Sequence, residues 1–321
     1  LDLRTGSLVD LSVGEYVAGS YTSPGSSAFH GQFEGTLHLR APRTADDVRI
    51  AALGVAINGG SSVLAEAFRV YEPGGGVMNT ALRNLIDADN KAFFGTAGTA
   101  GVNETAILSR LLAGSSIDPG LLVLAPGVEI ANLTGDLVLG LANPTGSTST
   151  AARNEAFTAA DWDLSGWRYG SRSAPGVLTL RAAGDLLFNN TLSDGFRPVS
   201  ASRDNGWSRL WLAPLMTVNE DLPLNTQSWS YRLTAGADLS GAATAAVMPA
   251  AALASGKGSI LVGEFYPDIL NPYTSGTAAG QGLDGQTADN IRFVTSSRDT
   301  TQRGTRYEVV RTGTGDITIH A

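Results

Sequence analysis

The chain has 321 residues, 43% of them hydrophobic, with 39 glycines, no cysteine and a formal net charge of −8. The apolar content supplies a continuous core and excludes a disordered chain, while abundant glycine (against an average of about 7%) with charged residues at 16% (against about 25%) favours strands and tight turns over a helical bundle. The acidic balance, with no local Lys/Arg cluster, excludes the phosphate-contacting stripe of a nucleic-acid binder, and the lack of cysteine excludes disulfides, Cys-ligated zinc and thiol catalysis.

From Leu1 to Tyr71 the pattern predicts strands: Thr36-Leu37-His38-Leu39, Val48-Arg49-Ile50, Gly54 to Ile57 and Ser62-Val63-Leu64, with turns at Pro42, Asn58-Gly59-Gly60 and Pro73 to Gly76. The period then changes. A helical excursion is predicted over residues 79–113, with Asn79 or Thr80 capping a helix that carries Leu82, Leu85 and Ile86. Asn103 or Thr105 caps a second helix that carries Ile107, Leu108, Leu111 and Leu112. Strand character resumes at Leu121, with polar loops predicted at Asn143 to Thr158, Arg197 to Asn205 and Ser275 to Asp289. The most apolar long run, Ala242 to Ala254, is interrupted by Pro249 and too short to span a bilayer, so no membrane span is expected. The chain opens Leu1-Asp2-Leu3-Arg4 with no basic-then-apolar signal and ends on the alternation Ile317 to His320, so it reads as a piece of a longer protein.

Across this order runs a repeated unit of strand, Gly-Asp corner and strand. It reads Val128-Glu129-Ile130 through Gly135-Asp136 to Leu139, and Val177 to Leu180 through Gly184-Asp185 to Phe188. Weaker copies are Tyr231-Arg232-Leu233 through Gly236-Ala237-Asp238-Leu239, and Tyr307 to Val310 through Gly315-Asp316 to Ile319. Glycine at the corner is expected to supply a positive φ, and the flanks alternate with period two. Such a unit buries its apolar face only against a neighbour, which is the logic of a solenoid. The predicted fold is therefore mainly β, a right-handed parallel β-helix. Residues 1–321 would form one segment of roughly eight to ten coils, each of roughly 20–30 residues, with layers ~4.8 Å apart.

Several blocks resemble the filamentous-haemagglutinin-like exoproteins that Gram-negative bacteria export by two-partner secretion. They are Leu37 to Arg43, Ala88-Asp89-Asn90, Pro126 to Ile130, Asp161 to Leu164 with Trp167-Arg168-Tyr169, Pro175 to Leu186, Leu192 to Phe196, Trp229 to Leu233 and Val310 to Gly315. The resemblance implies a secreted or surface-attached bacterial β-helix that serves as an adhesive or matrix-building fibre. Its partners would be host or bacterial surface glycans and proteins, or neighbouring fibre segments. A chain without cysteine suits export in an unfolded state. No secretion module, Arg-Gly-Asp tripeptide or toxin-like tip accompanies these blocks.

Candidate chemistry is sparse. The aromatic group Trp162, Trp167, Tyr169, Trp207, Trp211 and Trp229, with Tyr231, is the one contact candidate: exposed members stack on sugars or neighbouring chains, buried ones close the flank of the rod. Asp161 and Asp163 lie two apart, which on a strand sets both carboxylates on one face at about 6.5–7 Å, a separation suited to an inverting glycosidase. That gives the alternative of a polysaccharide-active enzyme, against a turn that anchors Trp162 and Trp167. A second alternative is a self-assembling extracellular filament. Asp46-Asp47 and Asp87 to Asp89 lack calcium-loop spacing, and His30, His38 and His320 are too scattered for a metal or nucleophile site. Gly256-Lys257-Gly258-Ser259 departs from a phosphate loop at Ala251 and Gly258. No catalytic residue, cofactor or metal is assigned. Asn103, Asn132 and Asn189 match the Asn-x-Ser/Thr acceptor pattern.

Overall fold

The computed structural model describes residues 1–11, 35–140, 161–195, 227–262 and 310–321. They fall into two compact units: Leu1–Arg69, Ala88–Val128 and Arg168–Val177 form the first, and Val70–Asp87, Glu129–Trp167 and Leu178–Ala321 the second. As expected, the protein is mainly β with parallel strand pairing and two helices in the predicted stretch.

In the first unit, β1 (Leu8–Asp10) pairs with β3 (Ala56–Asn58), and β2 (Gly35–Pro42) with β4 (Gly60–Tyr71). The pairing of β2 and β4 sets Leu37 on Val63, Leu39 on Ala65 and Ala41 on Ala67. Because successive side chains point to opposite faces, Val63, Ala65 and Ala67 all turn inward and are fully buried. The predicted strand Val48 to Ile50 is not one: Val48 makes a single antiparallel bridge to Arg43, and the segment buries Val48 and Ile50 as an irregular flank.

Helix α1 (Thr80–Phe94) is capped as expected, with Leu82 N–H donating to Asn79 Oδ1 at 2.9 Å. Of its predicted apolar face only Ile86 is buried, and Leu85 is exposed. The face is instead completed by Phe93 and Phe94, about two turns beyond Ile86. Helix α2 (Val102–Leu111) starts earlier than predicted. Its N-cap is Gly101, and Thr105 lies inside the helix, where its hydroxyl donates back to Gly101 O. Ile107 and Leu111 are buried as expected.

Three parallel ladders recur, chiefly in the second unit. The first holds β6 (Leu122–Asn132), β9 (Val177–Ala182), β12 (Ser230–Ala235) and β15 (Ile317–His320) in that order. The second holds β5 (Val77–Met78), β7 (Leu137–Leu139), β10 (Leu186–Phe188) and β13 (Ile260–Val262), and the third β8 (Trp162–Asp163), β11 (Leu192–Ser193) and β14 (Val310–Arg311). The chain visits the ladders in the same order each time. Register sets Leu186 on Leu137 and Phe188 on Leu139, all fully buried or nearly so, and each such side chain contributes about 1.5–3 kcal/mol by leaving water.

The repeat is longer than predicted, because the stacked corner residues Asp136 and Asp185 are 49 apart in sequence. The four Gly-Asp copies are also not equivalent. Gly135-Asp136 and Gly184-Asp185 lead from the first ladder to the second, whereas Gly315-Asp316 leads from β14 in the third ladder into β15 of the first. After Gly236-Ala237-Asp238 no strand follows directly; the strand paired with β10 begins at Ile260, after an insertion. Of the four glycines only Gly236 has a positive φ, 60°. Gly184 is required for another reason: a Cβ there would strike Asp136 Oδ1, since Gly184 N–H donates to Gly135 O at 2.9 Å in the layer beside it.

Candidate functional site

The predicted contact aromatics lie in the interior. Trp162 is 1% exposed, Trp167 5%, Tyr169 1% and Trp229 0%, so their ring faces are not offered to a sugar. In the second unit the rings of Trp162 and Trp167 stand 6.0 Å apart, and Trp167 and Trp229 meet edge to face at 5.6 Å. Trp229 Nε1 donates to Trp167 O at 2.8 Å, and its backbone N–H donates to the buried Asp194 Oδ2. In the first unit Tyr169 packs against Phe94 at 6.4 Å. Of the two accounts, burial matches the packing one. Trp207 and Trp211 lie outside the described residues, as do His30 and the three predicted polar loops.

Asp161 and Asp163 flank the inward Trp162, and each serves the local backbone. Asp161 Oδ1 accepts from Asn190 Nδ2 at 2.9 Å and from Thr191 N–H at 3.0 Å; Asp163 Oδ1 accepts from Ser165 N–H at 2.9 Å. Asp163, Ser193 and Arg311 occupy paired positions on adjacent strands, where Arg311 Nε donates to Ser193 Oγ at 2.8 Å. Burial pushes the Arg311 guanidinium below its ordinary value, against the opposing pull of Asp163.

Charged groups inside the fold are answered by specific partners. In the first unit Glu66 accepts from His38 Nε2 at 2.8 Å and from Arg40 Nε at 2.9 Å, with Arg40 stacked on Phe68 at 3.7 Å. Arg43, its side chain only 2% exposed, pairs with Asp89 and donates to Asn90 Oδ1 at 3.0 Å, so the fold joins the Leu37 to Arg43 and Ala88 to Asn90 blocks. The buried Glu104 accepts from the backbone and hydroxyl of Ser171, tying α2 to the 168–174 turn.

The second unit holds two further charged groups, and sequence reasoning missed both. Arg181 on β9 donates to Glu129 on β6 at 3.0 Å, and its other terminal nitrogen donates to the carbonyls of Asp238 (2.6 Å), Gly241 (3.2 Å) and Ala243 (3.4 Å) in the insertion. At the corner Asp185 N–H donates to Asp136 Oδ1 at 2.9 Å, and Ser259 N–H donates to Asp185 Oδ1 at 2.9 Å. Lys257 Nζ reaches both carboxylates, at 2.7 and 2.9 Å. Hydrogen bonds to Asp136 and Asp185 push the Lys257 ammonium up to about 12. Desolvation acts to raise Asp185, but the Ser259 N–H and Lys257 outweigh it and hold the carboxyl below its ordinary range. The segment Gly256 to Ser259 is thus a clamp on its own fold, not a phosphate loop. The available signal was a charge at an outward position of two otherwise apolar strands, Val128-Glu129-Ile130 and Leu180-Arg181-Ala182.

Among the described residues no group of three or more His, Asp or Glu side chains is arranged to hold a metal ion, and no helix is long and apolar enough to cross a membrane. Asn189 is 2% exposed, Asn132 spends its amide nitrogen on Asp136 O at 2.6 Å, and Asn103 is half-buried in α2. Comparison with protein-family models, with curated proteins and with solved structures returned no match.

Proposed function

We propose that this chain is a non-enzymatic, adhesive or matrix-building segment of a secreted or surface-attached bacterial fibre, wound as a right-handed parallel β-helix. The observation that carries the reading is the repeated order of visits: β6-β7-β8, then β9-β10-β11, then β12-β13-β14, each time first, second and third ladder, with apolar residues of the second ladder stacked in register. A chain that returns to the same three ladders in the same sense builds length by repetition, and stiffness follows from the backbone bonds between layers. The described carboxylates support a structural rather than a catalytic role, since Asp136, Asp161, Asp163, Asp185, Glu66, Glu104 and Glu129 each hold a backbone or a cation of the chain itself. With Trp162, Trp167, Tyr169 and Trp229 buried, contact with host or bacterial glycans, proteins or neighbouring segments falls to loops on the outside.

The test is to present the immobilised chain to epithelial and bacterial cells and to a panel of plant and bacterial polysaccharides. Saturable retention of cells with no release of reducing ends or unsaturated sugars is expected. Turnover of a polysaccharide that is abolished by Asp163→Asn would replace this reading with the enzymatic one.

A further inference from the structure

In the second unit one corner differs from its neighbours. Gly135-Asp136 and Gly184-Asp185 turn directly into β7 and β10, but between Gly236 and Ile260 the chain leaves the stack and returns. No side chain from 239 to 259 is buried, yet Glu129, Arg181 and Thr234 on the ladder beside it are. A segment that contributes nothing to the apolar core is held by other means. Arg181 grips the carbonyls of Asp238, Gly241 and Ala243, Thr234 Oγ1 donates to Thr244 O at 2.7 Å, and Lys257 clamps Asp136 and Asp185. Its apolar side chains go no further than half-buried, at Leu239, Ala246, Met248 and Leu253, the last of them between Gly236 and Gly258. Those two glycines stand at the roots of the segment with φ of 60° and 95°, where backbone rotation meets the least steric resistance.

We propose that residues 239–259 form a latched strap that opens as a unit, hinged at Gly236 and Gly258, while the three ladders stay folded. Local stability follows the contacts a segment makes, and one fastened by polar side chains and by the backbone bonds Asp238 N–H to Ala246 O and Met248 N–H to Gly236 O, with no buried side chain, opens at lower cost than the strands it crosses. Opening uncovers the Arg181–Glu129 pair and releases Asp136 and Asp185 from Lys257, turning a sealed outer face into a charged one. The inference does not depend on the adhesive reading: a strap of this kind would open equally on an enzyme.

Elastase, which cuts after small residues, provides the probe, because Ala242 to Ala254 is rich in alanine. On the full chain in dilute buffer, nicking is expected within 239–259 at a rate that changes less than twofold as urea rises through the range below the global unfolding transition, the signature of a small opening. Lys257→Met is expected to raise that rate about tenfold, and Thr234→Val several-fold, with the midpoint of global unfolding in urea lowered by no more than the same rise in opening accounts for. Nicking that climbs steeply with urea in parallel with global unfolding would overturn the strap, as would a Lys257→Met rate within twofold of the parent or a Lys257→Met unfolding midpoint that falls further than the rise in nicking accounts for.

Discussion

Arg181 Nη1 donates to Glu129 Oε1 across adjacent parallel strands at 3.0 Å, with side chains 5% and 6% exposed. Arg181→Met takes the cation from a buried carboxylate and the donor from the carbonyls of Asp238, Gly241 and Ala243, and is expected to cost about 3–5 kcal/mol, whereas Glu129→Leu with Arg181→Met removes both charges and is expected to recover at least about 2 kcal/mol of the loss. Urea unfolding of the two variants measures this, and a double variant no more stable than the single one would refute the coupling.

Period two along β10 sets up a sharper contrast. Leu186 is fully buried and Leu187, its neighbour, is half-buried on the other face. Leu186→Asp places an unpaired carboxylate in the dry interior and is expected to cost several kcal/mol, enough to unfold the chain, while Leu187→Asp is expected to cost about 1 kcal/mol. Circular dichroism and thermal melts of the pair report the difference. Equal losses would mean that the alternation is not what orients this strand.

Gly184 and Gly315 are needed for close approach. An added Cβ would strike Asp136 Oδ1 at the first and the Trp229 carbonyl at the second, whereas at Gly166 it would meet nothing within 4 Å. Gly315→Ala is expected to be the worst, by about 2–3 kcal/mol, because a backbone carbonyl yields less than the end of a side chain. Gly184→Ala should cost about 1–2 kcal/mol and Gly166→Ala less than about 0.5 kcal/mol. Melting temperatures in the order 166, 184, 315 are expected, and any other order would show that these corners relax.

The Lys257 clamp has a defined pH window. Asp185 titrates below its ordinary value when folded, so its contribution is present above the unfolded aspartate pKa of 3.8 and is lost as pH falls through the depressed one. Lys257 is raised from 10.5 to about 12, so its contribution is complete below 10.5 and disappears as pH climbs through about 12. Nicking in 239–259, divided by elastase's rate on an unfolded peptide at the same pH, should therefore be flat between about pH 5 and 9, and global stability should fall less steeply in acid for Lys257→Met than for the parent, since the charge that depresses Asp185 is gone. An unchanged acid limb in the variant would show that Lys257 does not hold that carboxyl.

Much of the local structure was legible because it rests on short-range rules. Alternation in Thr36 to Leu39 and Val177 to Leu180 located β2 and β9, and Asn79 before a helical period located the start of α1, since a cap needs only the next three residues. Val48 to Ile50 misled the same reasoning: its alternation buries two side chains without a neighbouring strand to pair the backbone. The aromatics show the same limit from the other side. Whether Trp167 faces solvent or packs inside is decided by where Trp229, 62 residues further along the chain, returns to meet it, not by anything within a few positions of it.

What the amino-acid order determined by itself was the strand-and-corner texture, the two-helix interruption and the absence of disulfide and thiol chemistry, all of which follow from propensity, period and composition. Only the tertiary structure decided that Gly184 serves close approach and not a left-handed turn, and that Arg181 meets Glu129. It also decided that Lys257 reaches across 121 and 72 residues to Asp136 and Asp185. The reason is physical: dihedral preferences act over a few residues, whereas the partner of a buried charge is set by which layers of the fold come to lie side by side.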